Sequence, residues 1–370
     1  MNRSASKRVI VGMSGGVDSS VAALRLIEAG HEVHGLFMTN WEEDEEAYCT
    51  AAQDYQDARA VCELLSIPLH RVNFSADYRE RVFSYFLREY RAGRTPNPDV
   101  LCNREIKFGA CFEYARRLGA VRVATGHYAR TEGDGRLLLA ADEAKDQTYF
   151  LLGITAATLR DTLFPIGDLH KQEVRRIADQ QGLPNHAKPD STGICFIGER
   201  PFRDFLSRYL PAQPGEIVTA EGEVLGEHQG LMYYTIGQRQ GLGIGGRSAM
   251  AEAPWYVSAK DATRNRLVVI QGHDHPALMS QGLIAVDPSW IAGQAPALPL
   301  ACDARIRHRQ SLQACEVRPT SRGLEVCFER AQRAVSPGQF VAFYHSGQCL
   351  GGAVIDHALP VARTDGTAAA

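Results

Sequence analysis

Apolar residues in the first third of the chain come in short runs separated by longer amphipathic stretches. The runs at Val9–Met13, Val33–Met38, Leu69–Phe74 and Val121–Thr125 predict strands. The stretches Ser19–Ala29, Ala51–Leu65, Tyr78–Arg91 and Arg104–Leu118 predict helices, and Gly30 and Gly119 stand where helix-ending glycines belong. Short apolar strands alternating with helices predict a parallel sheet covered on both faces, a doubly wound α/β unit. Near Tyr209 the pattern changes. "LPAQPGEIVTAEGEVLGEHQG" brings prolines, glycine punctuation and alternation of period two. From there to about Asp356 short strands and turns predominate. The expected organisation is an α/β unit over residues 1–208, a small β-rich central unit over 209–275, a β-barrel over 276–360 and a disordered tail over 361–370.

Composition narrows the class without choosing a function. The chain has 370 residues, 45% hydrophobic and 22% charged, ordinary for a globular enzyme. No run approaches the roughly 20 apolar residues of a membrane span, and the first residues lack a secretory pattern. The expected location is the cytoplasm. A net charge of −3 leaves a nucleic-acid partner open, because phosphate binding depends on where Lys and Arg cluster. The run "WEEDEE" from Trp41 to Glu46 reads as a solvated acidic loop. Nine cysteines, odd in number and with no CxxC, argue against a disulfide scaffold and against zinc; no resident metal is expected.

The chemistry gathers at a few motifs. "GMSGGVDSS" (Gly12–Ser20) follows a strand and opens a helix. Its glycines let the backbone approach a ligand, and the helix N-terminus favours an anion. Asp18 is a candidate helix cap or magnesium ligand. The lysine of the Walker pattern is missing, so γ-phosphoryl transfer loses support. Met38 ends the second strand at the carboxyl edge of the sheet, where a thioether can pack on adenine; Gly126 and His127 end the fourth strand at the same edge. In "GRTPNPDVLCNREIKF" (Gly93–Phe108), two prolines stiffen an extended segment bearing Asn97 and Asp99. Cys102 is expected just before the Arg104 helix, in surroundings that favour thiolate. Cys195 lies in the loop-like "KPDSTGICFIGER" (Lys188–Arg200). If the turn serves adenylation, as the resemblance given next implies, two loop cysteines beside it suggest sulfur chemistry: adenylation makes a carbonyl oxygen a good leaving group, a persulfide sulfur replaces it, and a second thiol detaches that sulfur. Arg91, Arg94, Arg305, Arg307 and Arg309 are candidate phosphate contacts, and the spacing of the last three predicts one shared strand face.

The SGGxDS loop resembles the pyrophosphate loop of the ATP pyrophosphatases, in which attack falls on the α-phosphorus and pyrophosphate leaves. Taken with "NWEEDEEAYCTAAQDYQDARAVC", "YRAGRTPNPDVLCNREIKF", "ATGHYAR", "KDQTYFL", "STGICFIGER" and "YYTIGQRQGLGIGG", the chain resembles the bacterial tRNA-specific 2-thiouridylases from its start to about Gly351. That resemblance implies ATP-dependent 2-thiolation of the wobble uridine in the tRNAs for lysine, glutamate and glutamine. It implies that Gly12, Met13, Ser14, Gly15, Gly16, Val17, Asp18, Ser19, Met38 and Gly126 bind ATP, with magnesium. It further implies that Asn97, Pro98 and Asp99 meet the target base, with Asp99 assisting acid–base steps. Cys195 would carry a persulfide received from a sulfur-relay protein or cysteine desulfurase, and Cys102 would free the sulfur, leaving a Cys102–Cys195 disulfide. His127, Lys145, Asp146, Gln147, Arg307, His308 and Gln339 would touch tRNA. Two other readings compete: a pyrophosphate-loop ligase or amidotransferase acting on a small metabolite, and a non-enzymatic RNA-binding module switched by ATP.

Overall fold

The structure, a computed structural model, describes residues 8–41, 50–190, 201–244 and 253–361. Its first sheet is parallel. Strands β1 (Arg8–Gly12), β2 (Glu32–Thr39), β3 (Leu69–Asn73), β4 (Arg122–Thr125) and the short β6 (Thr162–Leu163) run in the order β3-β2-β1-β4-β6. Val9, Ile10 and Val11 of β1 are all fully buried, as the continuous apolar run requires. Ile10 joins the core under the helices of residues 75–91 and 98–117, whereas Val9 and Val11 join the core under α1 (Val17–Glu28) and α2 (Thr50–Leu64). Helices therefore cover both faces. The chain leaves β1 toward β2 and β3 on one side and later builds β4 and β6 on the other. The turn after β1 thus lies where the direction of strand succession reverses, the crevice in which such sheets bind ligands.

Two further sheets follow. Strands β7 (Gly215–Val218), β8 (Val224–His228), β9 (Trp255–Asp261) and β10 (Arg266–Gln271) form a four-stranded sheet around Ile217, Val257, Leu267 and Val269. Strands β11 (Met279–Trp290), β12 (Leu300–Arg305), β13 (Gln313–Pro319), β14 (Leu324–Arg333), β15 (Phe340–His345) and β16 (Gln348–Pro360) are antiparallel, and β16 pairs back with β11 to close a six-stranded barrel. The barrel is stitched to the first unit. The two-residue strand β5 (Leu137–Leu138) pairs with β16, and one core runs from Ile10 and Tyr149 to Phe340 and Tyr344. The acidic run after Trp41, Cys49, Cys195 and the tail from residue 362 lie outside the described residues.

Two expectations need correction. The cysteine helix begins at Pro98, six residues before the expected Arg104, because Asn97 accepts a hydrogen bond from the Asp99 amide and Pro98 supplies a preset first helical residue. Strand β12 stops at Arg305, and Arg309 has φ of 66°, so Arg305, Arg307 and Arg309 share no strand face.

Candidate active site

The turn between β1 and α1 leaves the Val17, Asp18 and Ser19 N–H groups without an acceptor among the described residues, while the Ser14 and Gly16 amides donate to the Ser19 and Ser14 hydroxyls at 3.2 and 3.4 Å. Gly16 is the helix N-cap, and no side chain caps α1. Ser19 and Ser20 donate instead to the Gly16 carbonyl, each at 3.0 Å, and the Ser14 and Ser19 hydroxyls lie 3.2 Å apart. Gly15 has φ of +75°, and a Cβ there would come within 2.3 Å of the Asp54 carbonyl oxygen. Asn185 fixes the turn by donating to the Gly15 carbonyl at 2.9 Å. Met13 and Val17 point into the core, so their part at this turn is a backbone one. A helix of this length with an open first turn and hydroxyls beside it favours a polyanion.

A remote lysine completes the turn. Lys171, only 8% exposed at the start of the helix Lys171–Gln180, donates to both Asp18 oxygens at 2.8 and 2.9 Å. Tyr128 donates to the same carboxylate at 2.8 Å. Lys171 also meets Asp190 at 2.7 Å, and Asp190 meets Lys145 at 2.7 Å and Arg175 at 2.9 Å. Burial alone would raise the Asp190 pKa, but hydrogen bonds from Lys145 and Lys171 hold it down to about 2. Asp18 is therefore no helix cap. Nor do the residues present fit a protein-built magnesium site: its carboxylate is engaged by Lys171 and Tyr128, and no group of three ligating side chains occurs among the described residues.

Gly126 abuts this turn. A Cβ there would lie 2.7 Å from the Asp18 carbonyl carbon and the Ser19 nitrogen, so its smallness serves the approach of α1 to β4. Met38, next to last in β2, is partly buried against the core. His127 bonds Thr125 Oγ1 at 2.8 Å and packs between the rings of Phe108 and Phe164; burial, aided by Lys107, lowers its pKa well below the ordinary value, so it is neutral.

Phe108 belongs to the cysteine helix, which packs here. Cys102 is 1% exposed in the second turn of that helix, not in a polar loop. Asp99 is pushed above the usual carboxylate range by burial, which Lys107 partly offsets. The loop before it is gripped by the barrel: Gln339 donates to the Thr95 carbonyl at 2.9 Å and accepts from Asn97 at 3.4 Å. A third cluster links residues 145–150 to the end of β12. Asp146, 2% exposed, accepts from Arg305 at 2.8 Å and from Thr148 at 2.6 Å. Gln147 accepts from the Tyr128 amide at 2.9 Å. His308 bonds the Asp146 carbonyl at 3.1 Å and lies on Phe150 at 4.4 Å between ring centres; burial lowers its pKa. Arg307 is exposed, with its guanidinium donating to the Arg333 carbonyl. The Asp146 and Arg305 side chains are engaged with each other inside the protein.

Three family profiles match in order: a tRNA methyl transferase HUP domain over residues 7–199, a tRNA methyl transferase PRC-barrel domain over 203–271 and an aminomethyltransferase beta-barrel domain over 280–355. The chain is 58% identical over 353 residues to the tRNA-specific 2-thiouridylase MnmA of Alcanivorax borkumensis, covering 94% of this chain and 97% of that protein. It is 59% identical over 355 residues to the MnmA of Methylococcus capsulatus, covering 94% and 96%. The chain belongs to the tRNA-specific 2-thiouridylase family. Among solved structures, the U34-tRNA thiolase NcsA of Methanococcus maripaludis aligns at 20% identity and a TM-score of 0.34, over 57% of this chain and 70% of that one, a likeness that carries no weight beside the sequence match.

Within this thiouridylase, Lys171, Tyr128 and Asp190 are the polar residues that the sequence did not single out. Tyr128 had a signal, since it follows Gly126 and His127 in the quoted "ATGHYAR". Lys171 opens a polar amphipathic helix far along the chain, and only the fold carries it to Asp18.

Proposed function

We propose that this protein replaces the C2 oxygen of the wobble uridine of tRNA with sulfur, in the tRNAs for lysine, glutamate and glutamine. The observation that carries the reading is the open helix N-terminus at Gly16–Ser19, backed by Lys171 and joined through Gly126, His127 and Phe108 to the helix of Asp99 and Cys102. A phosphate-holding turn suits adenylation, whereas the methyl transfer in two profile names needs no such turn.

The uridine oxygen attacks the α-phosphorus of ATP, and pyrophosphate leaves from the open turn. Asn97, Pro98 and Asp99 receive the base, which must be splayed from its loop at a cost of a few kcal/mol. Asp99, kept from ready ionisation by burial, is suited to hold or pass a proton there. A persulfide on Cys195, supplied by a sulfur-relay protein or cysteine desulfurase, then attacks C2 and expels AMP. Cys102 thiolate attacks the Cys195 sulfur, the transferred sulfur stays on C2, and a Cys102–Cys195 disulfide remains until a dithiol reduces it. Met38 and the backbone of Gly12–Ser19 and Gly126 hold ATP, and magnesium comes with the nucleotide. Lys145, Asp146, Gln147, Arg307, His308 and Gln339 line the RNA path, with the Asp146 carboxylate held on Arg305 and His127 beside the path. The proposed location is the cytoplasm; no described helix is long and apolar enough to cross a membrane.

The test is mass spectrometry of nucleosides from tRNA incubated with protein, ATP and a persulfide donor. 2-Thiouridine is expected from the wild type and none from Cys195→Ser, while pyrophosphate release persists in that variant. Absence of pyrophosphate release with the cognate anticodon loop would refute adenylation.

A further inference from the structure

A cleft of about 350 Å3 opens where the loop after the helix of residues 84–91 meets the four-stranded sheet and the barrel, with no residue of the β1–α1 turn in its lining. The turn of Gly93 and Thr95 forms one wall, Lys260 of β9 another, and Leu278, Ser280 and Val335 a third. Lys260 donates to the Gly93 carbonyl at 3.0 Å, its one acceptor among the described residues. Burial draws its pKa down to about 8, and no carboxylate opposes the shift. Other packed lysines differ. Lys188 meets Asp54 and Asp57, Lys145 meets Asp190, and Lys171 meets Asp18 and Asp190.

A buried ammonium needs a counter-charge or a full set of acceptors. The Gly93 carbonyl, just past a helix C-terminus, supplies one acceptor and a partial negative charge. Two donor positions remain. The buried Ser280 hydroxyl in the same cleft also makes no side-chain hydrogen bond among the described residues. Arg94, the other cation in the lining, is engaged by Glu89 and Asp356, so the cleft has one positive charge to offer. The remaining walls are mainly apolar.

We propose that this cleft binds a small organic carboxylate, its charge met by Lys260 and Ser280 and its apolar body laid against Leu278 and Val335. One uncompensated cation above apolar walls matches a monoanion with a compact hydrocarbon body better than a multiply charged phosphate. The site stands apart from the thiolation reading, and its test is binding alone.

Phenylacetate is the probe, titrated against the full chain and followed by ligand-observed NMR. Saturable binding near about 1 mM is expected for the wild type. Lys260→Met should weaken it at least about tenfold, and Ala277→Trp, at the exposed lip, should block it. Phenylacetamide, the same shape without the charge, should bind wild type at least about tenfold more weakly. Circular dichroism checks that each variant folds; if Lys260→Met does not, the amide comparison and Ala277→Trp decide. No saturable binding of phenylacetate, equal binding of the amide, or affinity unchanged in a folded variant overturns the proposal.

Discussion

The β1–α1 turn and the end of strand β12 are both dense in polar residues, yet they spend them differently. At the turn, one contiguous segment, Ser14–Ser20, makes the frame: serine hydroxyls take up the Ser14 and Gly16 amides, while the Val17, Asp18 and Ser19 N–H groups have no acceptor among the described residues. At β12 the charges divide. Arg305 is buried on Asp146, whereas Arg307, two residues on, is exposed. The residue as a whole is exposed, but its guanidinium end folds back to donate to the Arg333 carbonyl, and that partial desolvation, with the like charge of Arg333, lowers the Arg307 pKa. Adjacent cations in a sequence therefore need not share a task; the direction of each side chain decides which one is buried in the fold and which one lies at the surface.

The strongest way to break this contrast is at the buried pair. Arg305→Met strands the Asp146 carboxylate inside the protein and is expected to cost about 3–5 kcal/mol of stability, measured by urea unfolding. A loss below about 1 kcal/mol would mean that Arg305 is free for RNA after all. Next comes the remote lysine. Lys171→Met is expected to slow tRNA-dependent pyrophosphate release by about a hundredfold, the usual cost of removing one charged donor from such a site. An unchanged rate would reduce Lys171 to an ion-pair partner of Asp18.

Two smaller effects sharpen the contrast. Asp190 titrates near 3.8 when unfolded and is held at about 2 in the fold. Its stabilisation is complete above about pH 4 and is lost as pH falls toward about 2. Because the carboxylate is one-third exposed, solvent screening leaves about 1 kcal/mol, and the pH dependence of the urea midpoint should be correspondingly flatter in Asp190→Asn. Arg307→Gln is expected to weaken tRNA binding a few-fold and lower the slope of log affinity against log salt by about one, with pyrophosphate-site chemistry intact. An unchanged slope would remove Arg307 from the RNA path.

Much of this was legible in the sequence because it is local. Apolar runs placed β1 to β4 within a residue or two, and the glycine turn announced the open helix end. The misread start of the cysteine helix was legible too: an Asn that caps and a Pro at the first helical position are a start signal, but two prolines in four residues suggested an extended loop. The roles of Lys171, Arg305 and Asp146 were not legible. Each is fixed by a partner more than 150 positions away, and no periodicity reports such a meeting.

The two-residue strand Leu137–Leu138 has a mechanical meaning. By borrowing an edge of the barrel, the α/β unit gives up hinge freedom at that seam, and the shared core behind it resists shear. With Arg307 and the Asn97 loop both meeting RNA, as proposed above, the span between them is a fixed gauge: the RNA must arrive already shaped to that span, and discrimination falls on the curvature of its loop rather than on domain closure.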